Sequence, residues 1–165
     1  MEAAFEKRPA IGLSLLVLFG FLAFTLAAGF AAGQVTAPNI PSWYNHLAKP
    51  SFNPPNWVFA PVWSALYVLI AVAAWRVWRA KGFRTPALAL WLVQLGLNFA
   101  WSFIFFGAHA AGAALADLVL LWGAIFATLI AFGRIDKPAG WLLIPYLGWV
   151  SFAGVLNFWV WQLNA

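Results

Sequence analysis

Long apolar runs separated by short polar or breaker-rich segments dominate the chain. Five of them are long enough to cross a bilayer, whose hydrocarbon core of about 30 Å takes roughly 20 helical residues at about 1.5 Å each. They predict helices at residues 11–33, 57–78, 87–107, 111–132 and 139–162. The later connections are short and carry breakers, as in Lys81-Gly82-Phe83-Arg84-Thr85-Pro86 and Arg134-Ile135-Asp136-Lys137-Pro138. Short connections make antiparallel neighbours. Only residues 34–56 form a long connection, and long structured loops are often functional. The first run exceeds the about 7–15 apolar residues of a secretory signal, so it is read as a retained span. The pattern therefore predicts an all-α membrane protein: one five-transmembrane-helix bundle over 1–165, with a long loop between helices 1 and 2.

Composition turns this prediction into a requirement. The chain is 65% hydrophobic and 8% charged, whereas a soluble domain carries about 25% charge to solvate its surface. With so little charge, the bilayer must cover the apolar exterior. The absence of cysteine excludes disulfides, thiolate metal sites and thiol nucleophiles. A net charge of +5 does not point to nucleic acid, because most basic residues flank apolar runs. Lys7, Arg8, Arg76, Arg79, Lys81, Arg84, Arg134 and Lys137 fall on one face of the alternating topology, and only Lys49 falls on the other. The positive-inside rule places the basic loops and the N-terminus inside, with the long loop and the C-terminus outside.

The chain holds 12 tryptophans. Trp43, Trp57, Trp75, Trp78, Trp141, Trp159 and Trp161 lie near span ends, where indole suits the headgroup level. Trp63, Trp101, Trp122 and Trp149 lie deeper, and a buried indole N–H needs a partner or a ligand. Helical spacing puts Trp63 with Tyr67, Asn98 with Trp101 and Phe105, and Trp149 with Ala153 on common stripes. Asn157 sits near the same outer end as Asn98. Three spans thus bring aromatic and amide groups to one depth. That is the layout of a ligand pocket, although aromatic stripes and intramembrane asparagines also simply pack helices. Pro61 and Pro145 each remove a helical hydrogen bond, which kinks a span or opens local space.

Asp117 is the single acid within a span. An intramembrane carboxylate is a functional suspect by default, but no basic partner lies in any span, which favours a structural role within reach of water or a polar neighbour. His46 and His109 fall on outer loops. Two imidazoles could ligate a haem iron, yet nothing in their spacing requires it. No triad, paired carboxylates or metal cluster supports ordinary catalysis, and unequal spans lack the inverted repeat of many transporters. Gly29-Phe30-Ala31-Ala32-Gly33 and the stripe Gly123, Ala127, Ala131 permit close helix approach, within the bundle or between copies.

The stretch from Trp43 to Tyr67 reads W-Y-N-H-L-A-K-P-S-F-N-P-P-N-W-V-F-A-P-V-W-S-A-L-Y. This resembles the signature of the translocator protein family, also called tryptophan-rich sensory proteins or peripheral-type benzodiazepine receptors. Gln94-Leu95-Gly96-Leu97-Asn98-Phe99-Ala100-Trp101-Ser102, Ala116-Asp117-Leu118 with Leu121-Trp122, and Pro145-Tyr146-Leu147-Gly148-Trp149 running to Leu156-Asn157 agree with it. The resemblance covers about residues 42–161. It implies a homodimeric five-helix receptor that binds protoporphyrin IX, haem or related lipophilic ligands, with no obligatory cofactor and no nucleic-acid partner. It implies ligand-binding positions at Trp63, Tyr67, Asn98, Trp101, Trp149, Ala153 and Leu156. It also implies a lid carrying Trp43, Tyr44, Lys49, Pro50, Pro54 and Pro55. Trp63 and Trp149 match a tryptophan pair tied in the family to light-dependent porphyrin breakdown, and transport of ligand is a further alternative. Animal members end span five with a tyrosine followed by a basic residue, a cholesterol-recognition pattern. Here Phe158 and Gln162 stand nearby and no lysine or arginine follows. The expectation is a bacterial member for which cholesterol is not the ligand.

Overall fold

A computed structural model describes residues 10–165. Lys7 and Arg8, counted above in the charge asymmetry, lie outside the described residues. The helices are α1 (Ile11–Ser42), α2 (Phe59–Lys81), α3 (Pro86–Ser102), α4 (Ala111–Ile135), α5 (Lys137–Trp141) and α6 (Ile144–Asn164). Short 3-10 turns at Tyr44–His46 and Asn56–Val58 punctuate the first loop, and a π-helical turn, Phe103–Gly107, continues α3. Five helical stretches are long and apolar enough to cross a membrane, the last made of α5 and α6 together. Among the described residues the protein is all-α.

α1 departs from the sequence expectation. It does not end at Gly33 but runs through residues 34–42, which the sequence assigns to the loop. Gly33 marks the end of the apolar run rather than of the helix. At about 1.5 Å per residue, α1 is about 48 Å long, more than the hydrocarbon requires. Its polar extension caps its own carbonyls: Thr36 Oγ1 donates to Ala32 O (3.0 Å), Asn39 Nδ2 to Val35 O (2.8 Å) and Ser42 Oγ to Pro38 O (2.7 Å). Pro38 and Pro41 are exposed, so the carbonyls of Gln34 and Ala37 that lose a helical donor are not sealed in apolar packing. The true loop is residues 43–58.

The remaining boundaries follow ordinary chemistry. α2 stops at Gly82, whose φ of 70° is open to glycine at little cost and whose N–H donates to Trp78 O at 2.7 Å. Pro86 begins α3 after extended Thr85. Asp136 caps α5 by accepting from Ala139 N at 3.2 Å, and it also pairs with Arg76 at 3.0 Å. Pro145 sits in the first turn of α6, and Pro61 near the start of α2. Pro61 thus lies at a span end, whereas Pro145, which has no N–H for the carbonyl of Trp141, follows directly on the turn between α5 and α6 where the fifth span is interrupted.

α4 packs against both α3 and α6, and α1 lies against α2. The larger core joins Leu66, Ile70, Trp91, Ile125, Phe132 and Tyr146; the smaller one gathers Tyr44, Phe105, Phe106, Ala114, Leu156 and Val160 at the loop end. Gly29 of the GxxxG is used inside the chain. A Cβ there would fall on the Tyr67 ring, so α1 can close on α2 only because residue 29 has no side chain. Gly123 and Ala127, by contrast, are exposed on α4. The apolar exterior includes Leu15, Leu16, Phe19 and Phe30 of α1, as a bilayer-embedded helix requires. The chain is an integral, multi-pass membrane protein.

Candidate functional site

Between the two cores lies a cavity of about 390 Å³. All seven positions implied for ligand binding line it: Trp63 and Tyr67 from α2, Asn98 and Trp101 from α3, and Trp149, Ala153 and Leu156 from α6. The stripes inferred from helical spacing converge because α2, α3 and α6 each turn one face to the same space. The wall from α1, including Gly29, Ala32 and Gly33, was not legible in the sequence. Small residues there read equally as helix packing. Ser102, Phe105, Phe106 and Asn157 also contribute. The π-helical turn, closed by Ala108 N–H donating to Phe103 O at 2.8 Å, buries consecutive Phe105 and Phe106 together. π-turns recur at functional sites.

The polar groups of the cavity are few and mostly committed. The Tyr67 hydroxyl donates to Asn98 Oδ1 at 2.7 Å. Trp101 Nε1 donates to Asn157 Oδ1 at 3.1 Å, while Asn157 Nδ2 donates to Ala111 O at 2.8 Å. The Trp101 ring stacks on Phe105 with centroids 5.0 Å apart. It is therefore a fixed wall. Trp63 leans on Tyr67 at 5.7 Å and meets Tyr146 edge-on at 6.1 Å. Trp149 contacts Phe59 at 5.8 Å and Phe152 at 5.5 Å, and its indole N–H has no partner among the described residues.

The loop closes over this end. Tyr44 is buried, its hydroxyl donates to Asn53 Oδ1 at 2.8 Å, and burial pushes its phenol up to about 12, so it stays a neutral donor. Trp43 stacks on His109 with centroids 4.3 Å apart, and His109 Nε2 lies 2.9 Å from Asn39 Oδ1. His109 holds this position at a φ of 53°. Two hydrogen bonds tie the loop to the end of α6: Ala48 N–H to Asn164 Oδ1 and Asn164 Nδ2 to Ala48 O, both 2.9 Å. Pro50 and Pro55 accept from Asn53 and Val58 N–H at 3.0 Å each, and Pro54 O accepts from Asn53 Nδ2 at 3.1 Å.

Of the six lid positions, Tyr44 lines the cavity; Trp43, Lys49, Pro50, Pro54 and Pro55 do not. Lys49 Nζ is turned onto its own loop, donating to Leu47 O at 2.8 Å and lying 4.9 Å from the Tyr44 ring centroid. Asn56 and Phe59, which sequence reasoning passed over, line the cavity instead.

Other candidates fall elsewhere. Trp122 does not line the cavity; it faces outward beside Phe126 and donates to Ser151 Oγ at 2.9 Å. Trp91, given no role above, is buried and donates to Ile70 O at 3.2 Å. Trp57 and Trp141 are exposed at 74% and 65%, as interfacial anchors would be, whereas Trp78 is buried. His46 and His109 do not line the cavity, and among the described residues no cluster of three metal-ligating side chains occurs. Asp117 is buried outside the cavity lining with one carboxylate oxygen unpartnered.

Residues 21–162 match the model of the TspO/MBR family. The chain is 45% identical over 155 residues to the tryptophan-rich protein TspO of Chlorobaculum tepidum, covering 91% of this chain and 97% of that one. It is 44% identical over 160 residues to the translocator protein of Homo sapiens, covering 94% and 90%. It is 41% identical over 146 residues to the tryptophan-rich sensory protein of Cereibacter sphaeroides, covering 87% and 90%. The chain belongs to the TspO/MBR family.

Proposed function

We propose that this member of the TspO/MBR family is a membrane receptor or sensor that binds a planar, lipophilic tetrapyrrole such as protoporphyrin IX or haem in the intrabundle cavity. The observation that carries the reading is the cavity itself. Its volume of about 390 Å³ falls in the range of small-molecule sites, about 300–1,000 Å³. Aromatic walls come from three helices, and a single tyrosine–asparagine pair lies among them. Trp63 and Trp149 offer ring faces for stacking. The Asn98 amide and the unpartnered Trp149 N–H offer the polar contacts that fix orientation. Ligand carboxylates would meet the unpartnered Trp149 N–H or the Asn98 amide rather than Lys49, whose ammonium is occupied by loop carbonyls.

The basic end of the bundle, with Arg76, Arg79, Lys81, Arg84, Arg134 and Lys137, would face inside and the loop end outside. Membrane lipid would cover the apolar exterior, and a second copy of the chain is the proposed partner, with exposed Gly123 and Ala127 allowing close approach. Titrating protoporphyrin IX into protein in nanodiscs and following tryptophan fluorescence tests the reading. Saturable quenching that is lost in Trp63→Ala/Trp149→Ala supports stacking in the cavity. Equal affinity in the double variant rejects it.

A further inference from the structure

A groove of about 400 Å³ runs between α4 and α6, on the other side of a thin wall from the intrabundle cavity. Two side chains make that wall: Leu118 of α4 and Val150 of α6 line both spaces. Gly154 keeps the groove open. A Cβ there would stand 3.3 Å from Leu118 Cδ2, so any larger residue would crowd the floor. The rims, Val119 on α4 with Val155 and Phe158 on α6, are exposed and apolar. In a multi-pass membrane protein such rims meet the hydrocarbon of the bilayer.

The groove has a closed end. Trp122 Nε1 donates to Ser151 Oγ at 2.9 Å, and Ser151 Oγ donates to Leu147 O at 2.8 Å, which bridges α4 to α6. No lining residue lies beyond Trp122 on α4 or before Val150 on α6. Leu115 to Trp122 is two turns of α4, roughly 10 Å, and begins about 6 Å from the start of that helix at the loop end. The groove therefore runs through the loop-side half of the span. It stops near the middle of a hydrocarbon core whose half-thickness is about 15 Å.

Length and chemistry together select the occupant. The two polar side chains of the groove spend their donors on each other and on the backbone, so none is left for a polar ligand. Its nine lining residues fall well short of the about 20–30 a side of a stable protein interface. Exposed Gly123 and Ala127, the proposed contact with a second copy, do not line it. A methylene chain lying along the helices, with its methyl end at the bilayer centre, matches the direction, the depth and the apolar lining. We propose that the α4–α6 groove holds one acyl chain of a phospholipid from the leaflet at the loop end, its terminus resting on the Trp122–Ser151 bridge. The chain packs the outer side of the wall whose inner side faces the cavity. The site stands whether or not a porphyrin binds within.

Phosphatidylcholine carrying a diazirine at the end of one acyl chain, photolysed in nanodiscs that hold the full chain, tests this directly. Cross-linked residues are mapped by mass spectrometry. Labelling of Trp122 is expected to exceed that of Phe24, an exposed residue near the middle of α1, on the order of 10-fold. Val155→Trp fills the groove from its rim without reaching the cavity, and should bring Trp122 labelling down to the Phe24 level. Val119→Trp fills it from the opposite rim, so the reading survives if one variant fails to fold. Trp122 labelling no greater than at Phe24, or unchanged in a filled variant that folds, overturns the proposal. So does a crystal structure in which a helix of a second copy occupies the groove. The readout uses no porphyrin, so a failure of porphyrin binding leaves it untouched.

Discussion

Tyr67→Phe removes one oxygen and leaves the ring in place, which isolates the hydrogen bond on which the cavity's polar wall depends. Tyr67 is buried, and its hydroxyl reaches Asn98 Oδ1 at 2.7 Å. Without it, a buried amide oxygen loses its donor, a loss of about 1–3 kcal/mol. For a chain of this length, about 2–4 °C of unfolding midpoint accompanies each kcal/mol, so the midpoint is expected to fall by roughly 2–12 °C. Asn98→Leu leaves the phenol unpaired and should cost a similar amount. Removing both partners together leaves neither orphan, so the double variant should be less destabilised than the two single losses summed. Unfolding followed by tryptophan fluorescence in nanodiscs reads all three. A Tyr67→Phe midpoint indistinguishable from wild type, or strictly additive losses, would refute the pairing as a structural element.

Three further expectations follow from the packing. Gly29→Ala drives a methyl group into the Tyr67 ring, and overpacking of this kind costs about 1–3 kcal/mol; Gly33→Ala meets nothing within 4 Å and should unfold as wild type does. Asp136→Ala removes both the cap of α5 and the Arg76 pair and should cost about 0.5–2 kcal/mol. Arg76→Ala should cost about 0–1 kcal/mol, falling with added salt; comparing denaturation of the two variants checks the ranking. Asn164→Ala cuts both bonds between loop and α6, so ligand dissociation measured by stopped flow should speed up on the order of 10-fold; an unchanged rate would show that this latch does not hold the loop shut.

How much of this was legible in the sequence depended on the kind of signal. The five spans were readable because hydrocarbon thickness sets a length that few other structures need. The cavity stripes were readable because 3.6-residue periodicity fixes which side chains share a face, as with Trp63 and Tyr67 or Trp149 and Ala153. Contacts between helices were not. Gly29 and Gly33 look alike in the sequence, yet one is pressed against Tyr67 and the other faces open space. Hydropathy also could not show where α1 ends, since Thr36, Asn39 and Ser42 are polar in a loop and in a self-capped helix alike. The π-helical turn at Phe103–Gly107 alters hydrogen bonding without altering composition. Lys49 shows the limit most plainly: its loop position was evident, but its direction, toward Leu47 O and Tyr44 rather than the cavity, was not.

The central claim is that the cavity beneath Tyr44 is a porphyrin site whose walls are Trp63 and Trp149. An experimental structure of the protein with bound protoporphyrin IX tests it most directly. The account predicts the macrocycle inside the bundle, stacked on at least one of these indoles, with a polar substituent near Asn98 or the Trp149 N–H and the loop closed above it. A porphyrin bound on the outer surface, or in the groove beside Trp122, with the cavity occupied by lipid instead, would contradict it.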